Sequence, residues 1–373
     1  MKLKKIIIAP DSFKGALSSK QVADIIAQEV NASYPNCEIV KIPIADGGEG
    51  SIDAIMSTID GKMYQAQVLS PDDKQITAEF GISKTGLAII EIAQSSGITR
   101  QTGLHPMTSS TFGFGQLIHA ALQWGAKKFI LCIGGSATTD GGCGMAAALG
   151  VRFFDKKGNS FIPCGDTLGK IAKIDKSGID QRISWSKFKV ISDEDNLLFG
   201  ENGAAYVYGP QKGATPEQVQ KLDEGLRHLD KLLNEHFGKD FGSTSGAGAA
   251  GGSGAGCMAF IGAAITSGID TILELNGFRR LVSDASLIIT GEGKVDSQSF
   301  CDKALSGILR EAGNTPVMSL CGVCDCNEAL LKKQNLTIIK ISEGISIEES
   351  MRDPEKYLRI TTRKAIRNLQ SGV

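Results

Sequence analysis

The 373-residue chain is 42% hydrophobic and 22% charged, which reads as a soluble globular protein of about two domains and excludes the disordered and fibrous classes. Its 40 basic and 41 acidic residues leave a formal net charge of -1, so no general attraction to nucleic acid or anionic lipid is expected, and small polar partners fit better. Nine cysteines, an odd number without a secretion signal, point to reduced thiols in the cytoplasm.

In chain order, "KIIIAP" is too short for a signal-peptide core and reads as a first strand. The segment "SSKQVADIIAQEVNASYP" opens on capping serines and sets Val22, Ile25, Ile26 and Val30 on one helical face; "EIVKIPIA" follows as a second strand. Next come "YQAQVLSPDDKQITAEFGIS" and "LAIIEIA", read as antiparallel strands with a Pro71-Asp72-Asp73 turn. A helix is expected in "TFGFGQLIHAALQWGA", a strand in "KFILCIG", and a helix from Thr215 that aligns Val219, Leu222, Leu226, Leu229 and Leu233. The uncharged tract from Phe241 to Ile269 is too rich in Gly, Ala and Ser to insert into a membrane, and predicts a buried helix around Met258 to Ile265. Toward the C-terminus the strands "LIITGEG", "VMSLCG" and "TIIKIS" alternate with the helical patterns "CDKALSGILREAG" and "NEALLKKQ", and helix continues to the end. The two outer pieces, residues 1–63 and 283–373, thus combine into one five-stranded doubly wound parallel sheet, interrupted by a second α/β domain over residues 64–282.

Ligands of such sheets bind beyond the carboxyl ends of the strands. Strand one runs into Asp11-Ser12-Phe13-Lys14-Gly15, strand two into Asp46-Gly47-Gly48-Glu49-Gly50, and strand three into Gly291-Glu292-Gly293-Lys294-Val295-Asp296. Each alone reads equally as a turn with an Asx cap. Together they suit a phosphate ligand: glycine lets backbone N–H groups approach an anion, lysine neutralises charge, and carboxylates hold magnesium or accept a proton. The interior repeats this pattern in Gly134-Gly135-Ser136-Ala137-Thr138-Thr139-Asp140-Gly141-Gly142, between a strand and a helix expected from Met145. Asp193, Asp195 and Asn196 follow the strand "FKVI" and precede Gly209-Pro210-Gln211-Lys212-Gly213; they suit magnesium or a polar substrate, or else form a solvated acidic turn.

Gly246 to Gly251 matches the dinucleotide pattern G-x-G-x-x-G, which keeps a nicotinamide-dependent dehydrogenase as an alternative, although no strand leads into it. Cys321, Cys324 and Cys326 lie between a strand and a helix, where a thiolate can be activated, but four zinc ligands are not in reach. His119 and His228 fall inside helical patterns, and the P-loop and protein kinase signatures are absent.

The motifs "APDSFKGALSS", "PIADGGEG", "IGGSATTDGGCGMAAALG", "GPQKGAT", "GAGAAGGSGAG" and "LIITGEGKVDSQS" occur in the order and spacing of the bacterial glycerate kinase type-1 family, which the chain resembles over nearly its whole length. The resemblance implies a flavodoxin-like domain interrupted by a large α/β domain with a mixed sheet. It implies an ATP- and magnesium-dependent kinase acting on D-glycerate, expected to give 2-phosphoglycerate in an inter-domain cleft, with 3-phosphoglycerate as the alternative product. Carried onto this sequence, it assigns Asp11, Ser12, Lys14, Gly47, Gly48, Glu49, Gly134, Gly135, Ser136, Thr138, Asp140, Asp195, Asn196, Lys212, Gly291, Glu292 and Asp296 to substrate or phosphate binding. Asp46 and Asp193 are the candidate bases, and Asp193 and Asp296 the candidate magnesium ligands. The chain departs from the family pattern at Ser192, Leu197 and Asp302-Lys303. A ligand sensor of the same architecture without activity is a third reading, and monomer and homodimer are both left open.

Overall fold

The computed structural model describes residues 3–300, 303–326 and 335–371. The helical pattern "NEALLKKQ" and residues 301–302 therefore lie outside the described residues. Two compact units are present: unit 1 comprises residues 1–46, 53–59 and 267–373, and unit 2 comprises residues 47–52 and 60–266.

Unit 1 is built on a parallel sheet of β1 (Lys5–Ile8), β2 (Glu38–Lys41), β12 (Leu287–Val295), β13 (Val317–Cys324) and β14 (Leu336–Lys340). Their spatial order, β14-β13-β12-β1-β2, is the flavodoxin-like arrangement, with the switch point between β1 and β12. Continuous Ile and Val runs suit this, because β1 and the first half of β12 are buried on both faces. Helix α1 (Ser19–Ser33) starts at Ser18, whose hydroxyl and the Gln21 side chain form a capping box, and it buries Val22, Ile25, Ile26 and Val30. Glu29, also buried, receives Arg363 at 2.9 Å from the C-terminal helix Pro354–Ser371, which follows the short helix Ile347–Arg352.

Strand β12 continues through Gly291–Val295, still paired with β13, where the sequence pattern predicts a loop. Unit 1 also takes in α9 (Gly268–Leu275) and α10 (Phe278–Val282), upstream of the expected boundary at residue 283. They pack with α11 (Ala304–Ala312), whose Gly307 has no room for a side chain: a Cβ there would lie 2.4 Å from Ile269.

Unit 2 has a mixed sheet in the order β11-β10-β6-β5-β4-β3. Strands β3 (Gly61–Leu69) and β4 (Gln75–Ser83) form a hairpin around Pro71-Asp72-Asp73. Strand β5 (Leu87–Glu91) is antiparallel to β4 but parallel to β6 (Lys128–Cys132), so only one side of "LAIIEIA" pairs as expected. Strands β10 (Lys187–Ile191) and β11 (Ala264–Thr266) extend the parallel half. A small antiparallel sheet joins β7 (Arg152–Phe154), β8 (Ser160–Phe161) and β9 (Lys173–Asp175).

Helices α2 (Ser51–Met56), α3 (Ala93–Ser96), α4 (Phe112–Gln123), α5 (Cys143–Ala148) and α6 (Ala204–Tyr208) are followed by α7 (Pro216–Phe237), capped by Thr215 and burying the expected Val and Leu stripe. Helix α8 (Ala249–Ile261) ends at Gly262, with φ +66°, so Ala264 and Ile265 belong to β11 and not to the helix expected there. Among the described residues no helix is long and apolar enough to cross a membrane.

Candidate active site

In unit 1 the carboxylates gather at the sheet's switch point. The Asp11 N–H donates to the Gly291 carbonyl at 2.8 Å, which fixes the loop after β1 against β12. Burial, reinforced by the negative charges of Asp46 and Glu292, pushes the Asp11 carboxyl up to about 7 against the Ser12 N–H and Lys14. Lys14 Nζ lies 3.2 Å from Asp46 Oδ2. Glu292, 9% exposed, is likewise raised to about 7 by burial and by Asp296, although the Ser299 hydroxyl donates to it at 2.9 Å and Lys303 opposes the shift. Burial also works against Asp296, but the Gln298 N–H and Lys294, 3.4 Å away, hold it below the usual carboxylate range. Acids poised near neutrality beside ionised ones provide the means to take and return a proton. Ser299 and Lys303 are the contributors that motif reading missed; Ser299 was signalled only by its place in "DSQS".

In unit 2 the loop after β6 is mostly interior. Ser136 and Thr138 are buried, and the fully buried Asp140 faces protein donors: its Oδ2 accepts from Thr111 N and Oγ1, both at 2.8 Å, and from Gly144 N at 3.2 Å, while Oδ1 accepts from Gly142 N at 3.1 Å. Asp140 therefore ties the start of α4 to that of α5. Burial pushes its carboxyl up, against the four donors. Lys212 Nζ, also buried, donates to the Ser136 hydroxyl at 3.0 Å and the Thr138 carbonyl at 2.7 Å; burial lowers Lys212 to about 7, against the charge of Asp140. The hydroxyls of Thr138 and Thr139 are buried without a hydrogen-bond partner. Gly134 and Gly135 keep solvent exposure.

Asp193 and Asp195 are exposed after β10. Asn196 Oδ1 accepts from the Tyr208 hydroxyl at 2.7 Å, and Tyr208 also bonds Glu194, so a tyrosine not singled out in the sequence shapes this acidic loop. Burial and Glu194 push the Tyr208 phenol up.

The dinucleotide pattern takes another role. Ala250, Gly251 and Gly252 have left-handed backbone, and a Cβ on Gly251 would lie 1.9 Å from the Thr138 carbonyl, so this segment is a close packing partner of the Ser136–Asp140 loop and not a strand-turn-helix cofactor loop. Cys321 is buried against Val295 and Leu305, with Cys324 and Cys326 packed on this cluster. Burial pushes the Cys321 thiol up to about 12 and that of Cys326 to about 11, which suppresses the thiolate chemistry their setting suggested.

The glycerate kinase family model matches residues 6–370. The chain belongs to the glycerate kinase family. Proteins named glycerate kinase from Halalkalibacterium halodurans and Bacillus subtilis are 42% and 37% identical to it, over 85% and 96% of both chains respectively. A protein named glycerate 2-kinase from Escherichia coli K12 is 39% identical over 85% of both chains. A crystal structure described as glycerate kinase 2 from Salmonella typhimurium LT2 superposes with a TM-score of 0.85 at 36% identity, covering 100% of this chain and 99% of that one. The glycerate kinase family is a family of phosphotransferases, so the chain is an enzyme of that class.

Magnesium is the ion this class implies. No group of three or more His, Cys, Asp or Glu side chains among the described residues makes a metal cage. The crowded carboxylates of unit 1 nonetheless fit an ion that arrives with nucleotide, because Mg²⁺ takes one or two protein carboxylates beside phosphate oxygens and water.

Proposed function

We propose that the enzyme transfers the γ-phosphoryl group of ATP to the 2-hydroxyl of D-glycerate, giving 2-phosphoglycerate and ADP. The observation that supports this most is the grouping of Asp11, Asp46 and Glu292 at the flavodoxin-type switch point, two of them raised to about 7. The name of the Escherichia coli relative supports the 2-position over the 3-position.

In the proposed reaction the hydroxyl oxygen of glycerate attacks the γ-phosphorus, the bond to the β,γ-bridging oxygen breaks, and the hydroxyl proton passes to a carboxylate. Asp46 and Asp193 are the proposed bases, with Asp11 close enough to Asp46 in charge to share the task. Lys14, the backbone of Gly47, Gly48 and Glu49, and that of Gly134 and Gly135 serve as partners of the anionic groups, while Lys212 holds Ser136 in place. Asp195, Asn196, Ser12 and Gly291 complete the set. Asp296 and Asp193 would hold magnesium, whose chemistry is to offset phosphate charge.

The test is ADP release in a coupled assay with D-glycerate, ATP and magnesium, followed by phosphorus NMR of the product. A phosphate on the 2-oxygen is expected; a 3-phosphate, or no turnover while ATP still binds, would overturn the assignment.

A further inference from the structure

Glu91 ends β5 and is fully buried, yet neither the motifs nor the phosphoryl-transfer reading gives it a task. Its Oε1 accepts the backbone N–H of Ile52 at 2.5 Å, in the first turn of α2 and two residues past Gly47-Gly48-Glu49-Gly50. Two further contacts tie the same loop to the same sheet edge. The Gly134 N–H, just past β6, donates to the Gly47 carbonyl at 2.8 Å. A Cβ on Gly47 would lie 2.5 Å from the carbonyl of Ile191, the last residue of β10.

The carboxyl ends of three adjacent parallel strands, β5, β6 and β10, thus meet residues 47–52. The contacts from β6 and β10 involve the loop's backbone and need only glycine on its side. The one from β5 uses a side chain, and a carboxyl group with no exposure to water. Burying a carboxylate is costly, and a strand that merely ended here would be better served by an apolar residue. Here the same group has a use: it satisfies a first-turn N–H of α2.

We infer that Glu91 is a positioning residue of the kinase reaction, anchoring the Gly47–Ser51 backbone so that this loop is preformed for the anionic substrate. The inference rests on the proposed reading that Gly47, Gly48 and Glu49 belong to the site. At this contact what matters is the reach of an acceptor oxygen to Ile52 N, an uncharged amide. Glu91→Gln keeps that acceptor and removes the charge, whereas Glu91→Asp keeps the charge and withdraws the acceptor by one methylene.

The experiment measures kcat, the KM of both substrates, thermal melting, and amide exchange of the peptide covering residues 47–56 by mass spectrometry. Asp223→Asn is the control: Asp223 is a buried acid that accepts from Gly200 N at 2.6 Å, remote in sequence from this loop. The Gln variant is expected within about fivefold of the parent in kcat/KM, and the Asp variant to lose about 30-fold or more while exchange in residues 47–56 speeds up by about tenfold. The control is expected to move melting but not the loop's exchange. Activity in the Asp variant with loss in the Gln variant would assign the requirement to charge and overturn the inference. It is also overturned by unchanged exchange in the Asp variant, by a Gln variant that fails to fold, or by activity falling in step with melting in all three proteins. A loosened loop with unaltered kinetics would instead remove Gly47–Glu49 from the site, the reading beneath.

Discussion

At the carboxyl edge of the unit 1 sheet, Asp11, Asp46 and Glu292 crowd negative charge, and burial lifts two of them to about 7. In unit 2 the loop after β6 also carries an acid and a lysine, but Asp140 accepts four hydrogen bonds from protein groups and Lys212 donates two to them. One arrangement leaves its charges in conflict, which costs stability and supplies groups that titrate in the working range. The other spends its charges on holding a loop in shape. Glycine-rich, acidic loops of similar composition thus serve different purposes, and the difference lies in where their side chains find partners.

The largest expected effect separates the two. Asp46→Asn should lower kcat by about 10²- to 10⁴-fold, the usual contribution of a general base, with melting little changed. If Asp46→Asn and Asp193→Asn each turn over normally, the base is neither, and Asp11 inherits the role. Asp140→Asn should behave otherwise. All four of its partners are donors, so the amide nitrogen must face at least one of them, and a loss of about 2–4 kcal/mol in urea unfolding is expected together with the loss of activity. A stable but inactive Asp140→Asn protein would place Asp140 among the groups that touch substrate and break the comparison.

The pH dependence of stability should have opposite signs for the raised carboxyls of unit 1 and for Lys212 of unit 2. Asp11 and Glu292 have folded values near 7, above their unfolded ones, so the folded state holds extra protons from about pH 4 to about pH 7. Their contribution to stability is present below that window and is lost as pH rises through it; Asp11→Asn should flatten the slope. Lys212 has a folded value of about 7, below its unfolded one, so its penalty is full below pH 7 and fades as pH rises toward about 10. Lys212→Met should remove that upward slope. Melting curves between pH 4.5 and about 10 test both.

Much of this organisation is legible before any coordinates. Parallel strands buried on both faces read as unbroken Ile and Val, and capped amphipathic helices such as α1 and α7 carry start signals in Ser18 and Thr215. The extension of β12 through Gly291–Val295 is not legible, because glycine and charge there resemble a strand end, and only pairing with β13 keeps the segment extended. Residues 47–52 group with unit 2 through tertiary contacts that no local pattern encodes. The bonds of Asp140 are not legible for a related reason: its partner Thr111 is far away in sequence. Glu91 did leave a trace, as a lone acid inside the apolar run "LAIIEIA". A charge in a run that must be buried signals either a misread strand or a buried bond, and here it is the bond to Ile52.

The smallest effect resolves the unit 2 loop itself. Gly135 has φ +77°, is exposed, and a Cβ added there would meet only the Ala93 methyl at an ordinary 3.5 Å. Gly135→Ala should therefore cost only the left-handed backbone penalty, about 1 kcal/mol. Gly251→Ala, by contrast, would drive a methyl to 1.9 Å from the Thr138 carbonyl and should prevent the loop from seating at all. Because Gly135 is the loop's exposed glycine, its variant tests whether that face meets substrate. A rise in the KM for glycerate or ATP beyond about fivefold with so small a stability cost places the face in the site. Unchanged kinetics would confine the whole loop to a structural task and leave the chemistry to the carboxylate edge of unit 1 and the acidic loop after β10.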